Sequence, residues 1–411
     1  MTSPDRHAAP ERDPARADDR PKVAHITTID LSLRYLLLNQ MRALEAAGYD
    51  VSGISADGPH VPVLEQAGIR HIAVPMTRRM SPLADLVALI KLYRVMRRER
   101  FTIVHTHTPK PNLIGQLAAR AAGVPVVIST VHGYYFHDQM RPLPRLALIA
   151  LEKLAARCSH LILSQSREDV ETAVRVGIAG ADRVELLGNG IDLGRFDRAA
   201  IPPATLAATR RELGIPDGVP VVGFVGRLVA EKGIGELLEA SRAILERFPD
   251  TRFLLIGPPE PDKADGLGPE SAARLGVERA FVFAGLRQDM PVLYALMDVF
   301  ALPSHREGFP RSPMEASAMG VPCVVTDIRG CREAVEEGVN GVLVPAGDAA
   351  ALAAAISSLL GDRERAEALG RGGLRLARER FDERRVFAHV VDAYARLRSR
   401  GRRGWRARRG G

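Results

Sequence analysis

Short apolar runs rich in β-branched residues alternate with longer helical periods along most of this chain. The first run, Lys22 to Thr28, predicts a strand, and Leu33 to Ala47 predicts a helix that stops at Gly48. Val51 to Ser55 is the next strand. Ser81-Pro82 opens a helix that reaches Arg98, Thr102 to Thr106 is a strand, and Asn112 to Ala122 a helix. Strands at Val126 to Thr130 and His160 to Leu163 flank a helix from Pro144 to Arg157. The pattern pauses near Gly188-Asn189-Gly190-Ile191-Asp192, a Pro/Ala stretch follows over 199–208, and a second series begins at Val219. That series predicts strands at 220–225, 252–256, 280–284, 298–302, 322–326 and 341–344, with helices at 233–247, 289–296, 311–319 and 348–360. A charged helix from Glu383 to Arg398 closes the pattern.

Such alternation implies an α/β chain with parallel sheets covered by helices on both faces. Two series imply two doubly wound, Rossmann-like domains. We divide the chain into a disordered segment (1–20), a first domain (21–198), a linker (199–214), a second domain (215–380), a last helix (381–398) and a basic tail (399–411). Ligands on such sheets bind outside the carboxyl ends of the strands. In the first domain this singles out 27–34, His105 to His107, and Val131-His132.

Composition narrows the class. A length of 411 residues suits two domains, and 46% hydrophobic against 5% aromatic residues predicts an aliphatic core. No apolar run approaches the ~20 residues that cross a bilayer, and the polar N-terminus lacks the apolar centre of a signal peptide. Three cysteines without metal-ligand spacing fit a reducing cytoplasm. The net charge of +8 lies in the tail, because 396–411 holds eight arginines and the rest of the chain balances. The body therefore carries no basic stripe for nucleic acid.

Two segments carry candidate chemistry. In His305-Arg306-Glu307-Gly308-Phe309-Pro310-Arg311-Ser312-Pro313-Met314-Glu315, two carboxylates bracket a turn and the opening of a helix. Amides near Arg311 and Ser312, at that helix N-terminus, suit an anion. The segment thus offers hydroxyl-binding carboxylates around a phosphate-sized positive pole, as a sugar nucleotide requires. In Gly223-Phe224-Val225-Gly226-Arg227-Leu228-Val229-Ala230-Glu231-Lys232-Gly233, a strand ends in a glycine that admits a close ligand, and two cations follow before a helix. Arg227 and Lys232 are placed to stabilise charge growing on a leaving diphosphate.

The first segment and the text after it, Ala316 to Asp327, resemble the Glu-x7-Glu segment of the retaining glycosyltransferases of family 4, which have the GT-B fold. With Arg227 and Lys232 the likeness spans most of 22–398 and is strongest over 223–345. It implies that Arg227 and Lys232 hold the donor diphosphate, that Glu315 holds ribose hydroxyls, and that Glu307 faces the donor sugar. Gly308, Phe309 and Pro310 would lie along that sugar, and Leu286 and Arg287 would pack against the base. His132 would stand near the donor sugar. It also implies that the first domain takes the acceptor, the second takes the donor, and the last helix crosses back onto the first domain. The chain departs from the family after its first strand, where a Gly-Gly loop is replaced by Thr27-Thr28-Ile29-Asp30-Leu31-Ser32-Leu33-Arg34. There Ser32 is a candidate helix cap, and Arg34 a candidate contact for phosphate or acceptor.

The expected function is a retaining, metal-independent transfer from a nucleotide-sugar, a UDP-sugar by preference, to a polyprenyl-linked or polysaccharide acceptor. No cofactor and no nucleic-acid partner are expected. With no evident carboxylate nucleophile, the mechanism is front-face. The rivals are an epimerase of the same fold, in which His132 would serve as acid or base, and a non-catalytic nucleotide-sugar sensor. For His105 and His107 we expect packed or exposed histidines without a chemical role. The arginine tail with Trp405, aided by Arg97, Arg98 and Arg100, is a candidate contact with the anionic inner face of the membrane.

Overall fold

The computed structural model describes residues 20–77, 81–136, 140–258 and 266–407, with side chains as far as Ser399. The first 19 residues, expected to be disordered, and the side chains of most of the basic tail lie outside the described residues. Strands β1 (Lys22–Ile29), β2 (Asp50–Ala56), β3 (Arg70–Ala73), β4 (Ile103–His107), β5 (Val126–Val131), β6 (Leu161–Ser164) and β7 (Val184–Leu186) form one sheet in the order β3-β2-β1-β4-β5-β6-β7. Strands β8 (Val221–Val225), β9 (Arg252–Ile256), β10 (Phe281–Gly285), β11 (Val299–Leu302), β12 (Cys323–Thr326) and β13 (Gly341–Val344) form the other, in the order β10-β9-β8-β11-β12-β13. All pairings between these strands are parallel, and helices cover both faces, which gives the expected two Rossmann-like domains. Among the described residues no helix is long and apolar enough to cross a membrane.

One face of the first sheet packs on Leu33, Met41 and Leu44 and on Val390 and Tyr394 of the last helix. The other face packs on Ala88, Leu92 and Met96. The second core gathers Phe224, Phe253, Leu293 and Phe300, and it also takes Ile191 and Phe196. The chain therefore changes domain near Gly190 rather than after residue 198. It returns beside the same point. Ile191 N–H donates to Phe381 O at 2.8 Å, and Glu383 N–H donates to Ile191 O at 3.2 Å. A Cβ on Gly190 would meet the backbone of Glu383, so the pause in the sequence pattern marks where the two crossings touch.

Several elements differ from expectation. The segment expected as a linker, 199–214, contains the helix Pro203–Glu212, because Pro203 at the first helical position preorganises it. The first helical segment begins at Asp30 and continues through a π-turn, Leu33–Leu37. Ser32 lies inside it and makes no capping bond. The Val61–Gln66, Arg167–Arg175, Pro269–Arg274 and Arg329–Ala334 helices and the short strands β3 and β7 are too brief for a clear period. The last helix runs on to Ala407 instead of ending at Arg398, since its backbone propagates through the glycines of the tail.

The long helix Arg363–Arg380 escaped the pattern because of Gly370, Gly372 and Gly373. All three are buried, and here glycine serves close approach. A Cβ on Gly370 would collide with Gly320 O, and one on Gly372 with Val339 O.

The interior of the first sheet is unusually polar. His25 and His105 are register partners on β1 and β4, and both are fully buried. His25 Nδ1 lies 2.9 Å from His107 Nε2, and His25 Nε2 lies 3.3 Å from the Tyr394 hydroxyl. Tyr394 in turn lies 2.7 Å from His105 Nδ1, and His105 Nε2 lies 2.7 Å from Thr130 Oγ1. A neutral imidazole has one donor and one acceptor nitrogen, so a ring that donates to one neighbour accepts from the next. Burial holds these rings neutral: His25 is lowered to about 3, and His105 and His107 well below the ordinary value of 6.5.

Two outcomes follow from this packing. Gly372→Ala should lower stability by about 1–3 kcal/mol through overpacking, although alanine is the better helix former. Chemical denaturation measures the sign, and a stabilised variant would show that the helix does not lie against Val339. The histidines should make the fold acid-sensitive. Unfolded imidazoles bind protons below about pH 6.5, whereas the buried rings do so only well below that, His25 at about 3. The unfolded state thus binds more protons, and stability falls as pH drops between those values, by up to about 1.4 kcal/mol per unit for each ring. In a pH series of unfolding midpoints, His25→Asn should show the shallower fall. Identical slopes would rule out the neutral chain.

Candidate functional site

The carboxyl ends of the two sheets face one another, and the loops after β5 and β11 touch. A Cβ on Gly308 would collide with His132 O, and a Cβ on Gly133 would stand 2.7 Å from Gly308 Cα. Gly330 backs the same contact, since a Cβ there would lie 2.6 Å from Glu307 O. Ion pairs close the cleft on one side: Arg329 Nη1 lies 2.7 Å from Asp169 Oδ1, and Arg332 Nε donates to Glu168 Oε1 at 2.9 Å. Ser166 Oγ donates to Glu333 Oε1 at 2.8 Å, again across the domains.

After β8, a 3-10 turn at Ala230–Lys232 ends in Gly233, whose φ of +74° and close approach to Pro303 O both require glycine. The turn directs Lys232 toward the loop after β11, where Lys232 Nζ pairs with Glu307 Oε1 at 2.6 Å. The two side chains keep only 16% and 11% of their exposure. Arg227 lies more openly and pairs with Glu231 at 3.4 Å; Glu231 also accepts from Arg306 Nε at 2.7 Å. Glu307 opens on a cavity of about 810 Å³, lined also by Gly133, Asp169, Asp327 and Arg329.

Glu315 sits on the Arg311–Ala318 helix, half-buried, and accepts from the Tyr294 hydroxyl at 2.9 Å. Burial raises its pKa, against the pull of Arg311. It lines a second cavity of about 400 Å³ with Arg34, Tyr35, Arg287, Arg311 and Glu383. The two glutamates therefore serve different spaces. The sequence could not show this separation, because it depends on where the first domain meets Gly308.

Other expected residues have more particular places. Arg311 reaches across the domains: Nη1 donates to Tyr35 O at 3.0 Å and Nη2 to Glu383 Oε2 at 3.3 Å. Asn39 Nδ2 donates to the other Glu383 oxygen at 2.8 Å. Ser312 lies in the first turn of the Arg311–Ala318 helix, after Pro310, which is buried as its N-cap. The Phe309 ring meets Phe381 edge-on at 6.2 Å, and its carbonyl accepts from Asn189 at 2.9 Å. Arg287 is forked between Glu212 at 2.5 Å and Asp289 at 2.7 Å, beside a largely exposed Leu286.

His132 is half-buried and lines a small cavity with Arg311 and Glu383. Its Nε2 lies 3.2 Å from His107 Nδ1, which joins it to the buried histidine chain, and burial lowers it to about 4. Its carbonyl, rather than its ring, meets Gly308. His25 was missed in the sequence reading; a lone histidine in an apolar strand gives no spacing signal until β1 pairs with β4. Ring nitrogens of His25, His105 and His107 lie within 4.8 Å of one another, a separation a metal ion could bridge. Each is already engaged with a neighbouring ring, Tyr394 or Thr130, and none of these partners is a carboxylate.

Comparison with known proteins agrees with this architecture. Residues 34–190 match the family described as Glycosyl transferase 4-like domain, and residues 207–375 match Glycosyl transferases group 1. A UDP-Gal:alpha-D-GlcNAc-diphosphoundecaprenol alpha-1,3-galactosyltransferase of Escherichia coli is 30% identical over 80% of this chain and 84% of its own length. The capsular polysaccharide biosynthesis glycosyltransferase CapM of Staphylococcus aureus is 28% identical over 91% of this chain and 96% of its own. The crystal structure of Anabaena Alr3699/HepE with UDP and glucose superposes with a TM-score of 0.78 at 22% identity, covering 92% of this chain and all of that one (100%). With both halves matched in order and a relative alike over most of its length, this chain belongs to the family-4-like glycosyltransferases of GT-B fold.

Proposed function

We propose that this glycosyltransferase moves a hexose from a UDP-sugar to a lipid-linked saccharide or a growing surface polysaccharide, with retention at the anomeric carbon and without a divalent ion. The observation that carries the reading is the Lys232–Glu307 pair beside Gly308, with Glu315 eight residues on in a separate cavity. Lys232 and Arg227 would meet the diphosphate, Glu315 the ribose hydroxyls, and Glu307 the sugar. The names of the relatives support this choice: the Escherichia coli protein uses UDP-Gal and a diphosphoundecaprenol-linked acceptor, and the Anabaena structure holds UDP and glucose.

In this reading, cleavage leaves a UDP whose negative charge grows as the sugar departs. Fixed cations stabilise that charge without reorganising. The chain has no Asp-x-Asp pair of the kind that would hold a metal against a diphosphate. His132 has its Nε2 engaged by His107, which leaves Nδ1 for any part it plays. The leaving phosphate oxygen would take the acceptor's proton while the hydroxyl attacks from the same face. Docking of the enzyme on the inner face of an anionic membrane would bring it to a lipid-linked acceptor.

Lys232→Ala should cut kcat by roughly 10²–10³ with the fold intact, and wild-type transfer should survive a chelator. Turnover within a few-fold in the variant, or activity lost to the chelator and restored by Mg²⁺, would overturn the respective role. Glu315→Ala should weaken UDP and UDP-sugar alike, about ten-fold or more for a buried charged hydrogen bond. Glu307→Gln should leave UDP binding equal or tighter, because it frees Lys232, yet slow transfer. Calorimetry alongside turnover measures both, and equal loss of UDP affinity in the two variants would remove this division of roles.

A further inference from the structure

Sixteen large apolar side chains stand exposed among the described residues, and nine of them lie on just two helices, Pro82–Glu99 and Pro142–Cys158. Leu83 and Leu143, in the opening turns, are each 81% exposed. On the first helix Leu83, Leu86, Val87 and Ile90 recur at intervals of three and four, so they share a face, and Ala88, Leu92 and Met96 point the opposite way into the core. Leu143, Leu146 and Leu154 repeat the arrangement on the second helix, with Ile149 and Ala156 buried. The outward faces are apolar where a surface helix is ordinarily polar.

The placement of these turns matters. Each helix follows a strand of the parallel sheet, β3 or β5, and so begins at the carboxyl ends, where the cleft lies. Lys110, just past β4, pairs at 2.6 Å with Asp85 in the first turn of Pro82–Glu99 and ties it to that edge. The π-turn Pro111–Gly115 packs against both helices and keeps them on one side of the sheet. Charge is graded along them. The apolar turns lead, and exposed basic residues follow: Lys91, Arg94, Arg97 and Arg98 on one helix and Arg157 on the other. An apolar stripe with cations beside it is complementary to an anionic lipid interface, where leucines enter the acyl boundary and arginines meet phosphates.

We propose that the opening turns of Pro82–Glu99 and Pro142–Cys158 form a membrane-docking face, which seats the mouth of the cleft on an anionic bilayer. The proposal rests on the reading that the acceptor is lipid-linked, and it gives that acceptor a short path: the lipid stays in the bilayer while its polar head enters beside β4 and β5. The basic tail would then add attraction but not set the orientation.

The test is co-sedimentation of the full chain, wild type against Leu83→Ser/Leu143→Ser, with phosphatidylglycerol and with phosphatidylcholine vesicles. Both leucines are exposed, so the fold should be unaffected, and UDP binding by calorimetry should match wild type. Wild type should sediment with phosphatidylglycerol only, and the double variant should partition at least ten-fold less. Equal partition of the two proteins would overturn the proposal, and so would a wild-type dimer that the substitutions split in sedimentation velocity. The acceptor reading fails separately: an enzyme that docks through these leucines yet transfers no sugar to a lipid-linked acceptor keeps the docking face and loses the acceptor.

Discussion

Backbone meets backbone where the two domains touch, and the site is built around that contact. His132 O stands so close to Gly308 that no side chain fits between them, and Gly133 and Gly330 close the same point from either side. Three glycines, two from loops and Gly330 from the Arg329–Ala334 helix, are needed because a single methyl group would push the domains apart. The cavity at Glu307 and the cavity at Glu315 share no lining residue, and each is lined from both domains. Arg311, Glu383 and Asn39 fix the same closure on one side, and the Arg329–Asp169 and Arg332–Glu168 pairs fix it on the other. A polar, ion-paired closure of this kind can open at modest cost, whereas a large apolar interface would not.

The second domain was the more legible half. All six of its strands fall within a residue or two of the pattern, because each is a short apolar run bounded by turn residues. The pattern did not show the brief helices Pro269–Arg274 and Arg329–Ala334, nor Arg363–Arg380, whose period is interrupted by glycine. In Arg363–Arg380 it is a contact surface, and only the neighbouring backbone reveals that. In the first domain, β1, β4 and β5 carry His25, His105, His107 and Thr130 among their apolar residues, so the strands were visible and their function was not. Which residues pair across β1 and β4 is a property of register, and register is not written in either strand alone.

The same limit governed the site. Glu307, Glu315, Lys232 and Arg227 lie in two local stretches, so spacing alone could nominate them. Tyr35 and Asn39, from one helical segment, and Glu383, from the start of the last helix, are far apart in the chain and meet only around Arg311 and the cavity beside it. Electrostatics divides the halves as well. The first domain brings buried neutral imidazoles toward the cleft, and burial keeps them neutral at ordinary pH. The second brings permanent cations. Lys232 and Arg227, the proposed partners of a leaving diphosphate, stand on the second domain's wall, while Arg34 of the first domain lines the cavity with Glu315.

The Lys232–Glu307 pair carries that argument one step further. Both groups are largely desolvated, and a pair in that state loses more by losing one partner than it gains by existing. A diphosphate alone can draw Lys232 away only by leaving the Glu307 carboxylate without its cation. A nucleotide-sugar, on the proposed reading, brings both replacements at once: phosphate oxygens for Lys232 and sugar hydroxyls for Glu307. The exchange is then balanced for the donor and unbalanced for the bare nucleotide. Such a pair favours the substrate over the product that has lost its sugar, so on the proposed reading it would also help to release the spent nucleotide.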